Sequence, residues 1–241
     1  MIPQRTKMRL FSYYDFVPLH DSGNEIKMLT LWRTHHRKLG FEPFCLQEYH
    51  AQKHPRYAQF CEAVEKLPSI NPGRYDRACY LRWLAVAAMG GGAMMDYDCF
   101  LTPTVFDDLQ PVLRDPEQPE KLHVFQNCTP CIVTGSAKAF EQACIWFASF
   151  AHSGEKHLSD MIILERVAAR EPDAFVRWAY AKCYGEEGWQ SAPAIHFSNA
   201  ACTPAEKQPR FAWIPRLLEL HTHTGYKPPE PTPDPGFAPL T

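Results

Sequence analysis

Two aspartates, Asp96 and Asp98, follow the run Gly90-Gly91-Gly92-Ala93-Met94-Met95. Carboxylates so spaced can share one hard divalent cation. Mg²⁺ and Mn²⁺ prefer oxygen ligands, and such a cation neutralises a diphosphate. An Asp-x-Asp alone is common in loops; its place after an apolar run gives it weight. That run reads as a short strand, whose carboxyl end lies at the sheet edge where open α/β sheets bind ligands. If the Asp-x-Asp continues in extended form, both acidic side chains point to the same side. The three glycines would let backbone approach a neighbouring helix or a ligand closely.

Several elements must position this pair. Arg9 to Tyr14 reads as a first strand. Ser22 and Glu25 have the spacing of a capping box. A helix then runs to about Leu39, with Ile26, Leu29, Trp32 and Leu39 on one face and Gly40 as its stop. Phe41 to Gln47 fits a second strand. His54 to Leu67 carries Tyr57, Phe60, Cys61, Val64 and Leu67 at helical spacing, and Pro68 and Pro72 end it. Tyr75 to Met89 is a further helix, broken by the glycines. Strands are expected at Leu122 to Gln126, Cys131 to Thr134 and Ala194 to Phe197, and helices at Ser136 to Ala151 and Ser159 to Arg170. This alternation predicts an α/β fold around a mostly parallel sheet.

The stretch from Arg77 to Asp98, R-A-C-Y-L-R-W-L-A-V-A-A-M-G-G-G-A-M-M-D-Y-D, resembles the sugar-nucleotide-binding region of GT-A glycosyltransferases. It looks most like the group whose pattern runs S-D-x-x-R-Y, a helix, then G-G-x-Y-x-D-x-D. Arg82-Trp83 matches the Arg-aromatic pair, and the glycine run is one residue longer. Where the pattern has Asp three residues before the Arg, this chain has Cys79, with Asp76 one helical turn earlier.

The resemblance implies a GT-A fold, a single mostly parallel sheet flanked by helices, over residues 1–225. It implies an enzyme that moves a sugar from a nucleotide-diphosphate sugar to a glycan, lipid or other acceptor. Asp96 and Asp98, with His196 from the strand Ala-Ile-His-Phe-Ser-Asn, would ligate Mn²⁺ or Mg²⁺. Asp76, Arg82 and Tyr97 would contact the donor. Tyr13 and Tyr14, after Ser12, occupy the place of the base-binding strand. Asp98 and Asp160 carry the catalytic expectation, Asp160 facing the acceptor from a helix start where it also suits the helix dipole. Asn127 falls in the segment that lines the acceptor side.

Other readings are weaker. Haloacid-dehalogenase-like phosphatases also use D-x-D, but Cys99-Phe-Leu-Thr follows here in place of the close threonine, and about 90 residues precede the motif. A non-catalytic sugar-binding relative would fit the change at Cys79. Cys128-x-x-Cys131 lacks the second pair that a structural zinc site needs. His35-His36 reads as part of a polar helix face, and His221-x-His223 lies near the tail.

Composition bounds all of this. The 241 residues carry 25 Lys plus Arg and 27 Asp plus Glu, a formal net charge of −2. That excludes a cationic field for nucleic acid. With 45% hydrophobic residues the chain can build a sizeable core. Its nine cysteines, an odd number mostly inside apolar stretches, predict reduced thiols and a cytoplasmic setting. No apolar run reaches membrane-spanning length, and no signal core follows the polar N-terminus. Proline, 22 residues, is at roughly twice its usual share. Six of the prolines lie within residues 228–239, so 226–241 is expected to be an extended or disordered tail.

Overall fold

The computed structural model describes residues 8–15, 23–71, 75–102, 120–202 and 209–220. Ser22, the two tail histidines and the proline-rich tail lie outside the described residues. Among the described residues the chain is an α/β sandwich whose main sheet has six strands in the order β2-β1-β3-β6-β5-β7. These are β1 (Arg9–Tyr13), β2 (Glu42–Leu46), β3 (Gly91–Met95), β5 (His123–Gln126), β6 (Thr129–Ser136) and β7 (Val176–Arg177). Three of its five pairings are parallel, and β6 runs antiparallel to both β3 and β5. A second sheet, which the sequence pattern did not suggest, has the order β4-β9-β8. It is built from β4 (Cys99–Leu101), β8 (Ala181–Cys183) and β9 (Ala194–His196).

Alternation along β3 divides the core. Met94 joins the cluster under the helices α2 (Glu48–Ala51), α3 (Tyr57–Val64), α4 (Tyr75–Ala88), α5 (Ala137–Ser149) and α6 (Asp160–Arg170). Ala93 and Met95 join the opposite cluster, with residues of α1 (Asn24–Lys38), the second sheet, α7 (Asn199–Cys202) and α8 (Arg210–Leu220). Helix α4 is buried nearly all round: Tyr80, Leu81, Trp83 and Leu84 are each at most 1% exposed. A helix apolar on every side belongs inside, and each such side chain contributes about 1.5–3 kcal/mol by leaving water. The result is a fixed support directly ahead of β3. At this junction Gly90 and the first two residues of β3, Gly91 and Gly92, have φ of 94°, 82° and 133°. These are left-handed values that L side chains rarely adopt, which is why the helix-to-strand reversal is all glycine.

Two expectations change. Helix α1 begins at Asn24, with Gly23 at φ 77° as its N-cap. The polar-face reading of His35-His36 is overturned, since His36 is completely buried. Strand β4 crosses this end of α1. His35 Nε2–H donates to the Leu101 carbonyl at 2.7 Å. The Leu101 N–H donates back to His36 Nε2 at 3.3 Å, and His36 Nδ1–H donates to the Trp32 carbonyl at 2.9 Å. The two imidazoles read both sides of one residue of β4. Sequence periodicity could not show this, because β4 itself was not foreseen.

Candidate functional site

Strand β3 ends at Met95, and the two acids that follow do not continue it. The Asp96 N–H still donates to the Cys131 carbonyl of β6 at 2.8 Å, but the Cys99 N–H donates back to the Asp96 carbonyl at 3.0 Å. That bond closes a turn over Tyr97 and Asp98. The extended Asp-x-Asp expected from pleating is therefore corrected: a tight turn, not strand alternation, brings the carboxylates together. The Phe197 N–H then donates to the Asp98 carbonyl at 2.8 Å and ties the turn to the end of β9, where His196 sits. Ligand atoms of Asp96, Asp98 and His196 all lie within 4.8 Å of one another. Among the described residues this is the group of three metal-ligating side chains so placed, and Cys128 takes no part in it.

His196 is held from behind. Its Nδ1 lies 2.9 Å from Gln126 Oε1, an amide oxygen that can only accept, so Nδ1 carries the proton. The Gln126 amide nitrogen donates to Cys183 Sγ at 3.1 Å. The other imidazole nitrogen, Nε2, faces Asp98 Oδ1 at 3.4 Å. The second oxygen of Asp98 accepts from Arg210 Nη1 at 2.7 Å. Burial pushes the Asp98 carboxyl up, but His196 and Arg210 outweigh it and hold it at about 2. Asp96 differs. Burial raises it to about 7, with Arg82 opposing the rise and the charge of Asp98 adding to it.

Arg82 links Asp96 to the helix layer. One guanidinium nitrogen bonds Asp96, and the other bonds Asp160 Oδ2 at 2.6 Å. Asp160 also accepts from Trp83 Nε1 at 3.0 Å, and its Oδ1 accepts from the Met161 N–H at 2.9 Å. It is the first residue of α6, whose cap is Ser159. The Arg-aromatic pair thus turns both members onto one buried carboxylate, and Asp160 is 4% exposed. Asp76 is committed elsewhere. It accepts from Ser69 and from Asn71 Nδ2 at 3.0 Å, with His157 Nδ1 3.8 Å away. Cys79 is packed beside Arg82, its thiol raised by burial and by the charge of Asp160.

The end of β1 brings aromatics to the same edge. Tyr13 joins the helix-side cluster, and its hydroxyl donates to Asp15. Burial and that bond raise it above the ordinary tyrosine range. Tyr14 lies on the opposite face and meets Tyr97 edge-on, at 6.1 Å between centroids and 77° between planes. Asp15 Oδ1 accepts the Glu48 N–H at 3.2 Å, and Glu48 in turn receives Arg77 Nη2 at 2.5 Å. Asn127 adopts φ 54° in the β5–β6 hairpin, a conformation that asparagine tolerates. Its place in the sequence is met by a backbone need.

Sequence reasoning missed Arg210 and Gln126. The apolar spacing of Phe211, Ile214 and Leu218 marks α8, but Pro215 inside it masks a helix. Gln126 carries no pattern at all. The donor set of two carboxylates and an imidazole fits a divalent cation of the Mn²⁺ or Mg²⁺ kind. Asp96 keeps 26% of its side chain exposed toward such a ligand. All nine cysteines are free, as expected, and no helix among the described residues is long and apolar enough to cross a membrane.

Two solved structures are similar in outline. One is a glycosyltransferase involved in the glycosylation of the major capsid of PBCV-1, at 15% identity and a TM-score of 0.43, covering 90% of this chain and 99% of that one. The other is mouse xyloside xylosyltransferase 1, at 10% identity and a TM-score of 0.49, covering 81% and 99%. No curated protein matches the chain. One family model matches residues 1–166, well over half the length, and on that ground the chain belongs to the family described as Domain of unknown function (DUF8765).

Proposed function

We propose that this chain is a divalent-metal-dependent glycosyltransferase of the GT-A type. It would transfer a sugar from a nucleotide-diphosphate sugar to a hydroxyl of a glycan, lipid or other acceptor. The observation that carries this reading is the convergence of Asp96, Asp98 and His196 within 4.8 Å at the carboxyl edge of β3. Those three would hold Mn²⁺ or Mg²⁺, whose charge offsets that of a departing nucleotide diphosphate.

The rest is positioning by the chain itself. Arg82, anchored by Asp160, orients Asp96. Asp160 already accepts three hydrogen bonds, which supports a role in holding Arg82 over one as acceptor base. Tyr14 and Tyr97 offer an aromatic corner to a base or ribose. Tyr13, bound to Asp15, would fix the end of β1 beneath them. Asp76 would support the donor side by organising the Ser69–Asn71 loop ahead of α4.

The test is a donor panel. The full chain is offered nucleotide sugars with Mn²⁺ and with chelator, and nucleotide release is followed. Release with one donor and Mn²⁺ is the expected result. Hydrolysis of p-nitrophenyl phosphate with no donor turned over would sink the transferase reading in favour of a phosphatase.

A further inference from the structure

Asp98 is engaged on both carboxylate oxygens. Oδ1 lies 3.4 Å from His196 Nε2, and Oδ2 accepts from Arg210 Nη1 at 2.7 Å. The same Nη1 also donates to the Phe197 carbonyl. Arg210 is delivered by a well-anchored element. It opens α8, in which Ile214 is completely buried and Trp213 packs on Tyr184 and Phe197 at 5.1 and 5.7 Å. The Arg210 side chain is 14% exposed, so its charge acts on Asp98 with little screening.

A divalent cation taken up between Asp98 Oδ1 and His196 Nε2 would share the Asp98 carboxylate with the guanidinium on Oδ2, and two positive centres on one carboxylate repel strongly. The two arginines at the site differ in what each would lose. Arg82 keeps Asp160 whatever happens at Asp96. Arg210 has, beside Asp98, a neutral carbonyl. Arg210 is therefore the cation that a metal ion would more readily displace.

We propose that Arg210 is a displaceable counter-cation of Asp98, which sets how tightly the site takes a divalent ion. It rests on the metal reading of the site. A cation that takes Asp98 Oδ1 is repelled by the guanidinium on Oδ2 until that group moves aside, so the free ion binds more weakly than the three ligands alone would allow. Arg210 thereby guards the site against loading by metal alone.

The experiment is a Mn²⁺ titration of the full chain without nucleotide, followed by the loss of the free-ion electron paramagnetic resonance signal. Wild type is compared with Arg210→Gln and Arg210→Met, the second keeping the packing of the stem. Circular dichroism checks that each is folded. Both variants are expected to bind Mn²⁺ more tightly, by about ten- to a hundredfold, the range set by one hydrogen bond between charged groups. Equal or weaker binding by whichever variant is folded overturns the proposal and leaves the metal site standing. If neither wild type nor variant takes up Mn²⁺, the proposal falls together with the metal reading.

Discussion

Gln126 decides which nitrogen His196 can offer. With the amide oxygen of Gln126 holding the Nδ1 proton, Nε2 is the nitrogen left to face Asp98 and a cation. Partners of this kind typically carry ten- to a hundredfold in metal affinity. Gln126→Leu should weaken Mn²⁺ binding by about that factor in a titration, with the fold intact. Asp160 predicts a different outcome. Removing it leaves the Arg82 guanidinium buried with one anion fewer, so Asp160→Ala should cost about 3–5 kcal/mol in urea unfolding. At this scale the sequence was informative where chemistry and local pattern coincide. Asp96 and Asp98 stand after an apolar run, and His196 stands in a short strand. Arg210 and Gln126 were illegible because their meaning comes from contacts 112 and 70 residues away.

Helix α1 and strand β4 are joined by the His35-His36 pair, and that joint responds to acid. Burial, with the neighbouring His35 charge, holds His36 well below its usual pKa. A depressed histidine favours the unfolded chain on protonation. Its contribution is whole above about pH 6.5 and is lost as pH falls below that value. His36→Gln should therefore lower stability at pH 7 and flatten its fall toward pH 5. Urea unfolding at both pH values measures the two effects, and an unchanged slope would count against the account. His196 shifts the other way, well above its usual pKa despite burial, because Asp98 stabilises its charge. The comparison must accordingly be wild type against variant, not one pH against another. Elements with strong local patterns were legible. The strand of β1, the long α4, the glycine break and α5 and α6 all fall close to where spacing put them. The expected helix from His54 to Leu67 is shorter, Tyr57–Val64, because residues 48–54 form a separate turn of helix and bend. The three-residue strands β4 and β8 are too short for any period to show.

At the scale of the molecule, the main sheet separates two hydrophobic clusters, and the site lies where its carboxyl edge meets the second sheet. The α/β class was legible from alternation. Strand order was not, because β3 pairs with β6 across about 40 residues, a choice made by packing rather than by any local signal. The antiparallel β6 beside the motif strand and the second sheet that supplies His196 both come from such distant pairing. The helix-side cluster should fail independently of metal binding. Phe60→Ala, on α3 away from the acids, should cost about 3–5 kcal/mol while leaving Mn²⁺ affinity unchanged. A melting curve and a Mn²⁺ titration on the same sample check this.

The central claim is that sugar transfer depends on a cation held by Asp96, Asp98 and His196. The direct measurement is nucleotide release from the preferred donor as Mn²⁺ is titrated into chelator-treated protein, for wild type and for Asp98→Asn of equal folded content. The account predicts no turnover without the ion, saturable recovery in wild type, and at least a hundredfold loss in Asp98→Asn, roughly the scale of removing one key electrostatic group. Full turnover by wild type in chelator, or a normal rate in Asp98→Asn, would contradict it.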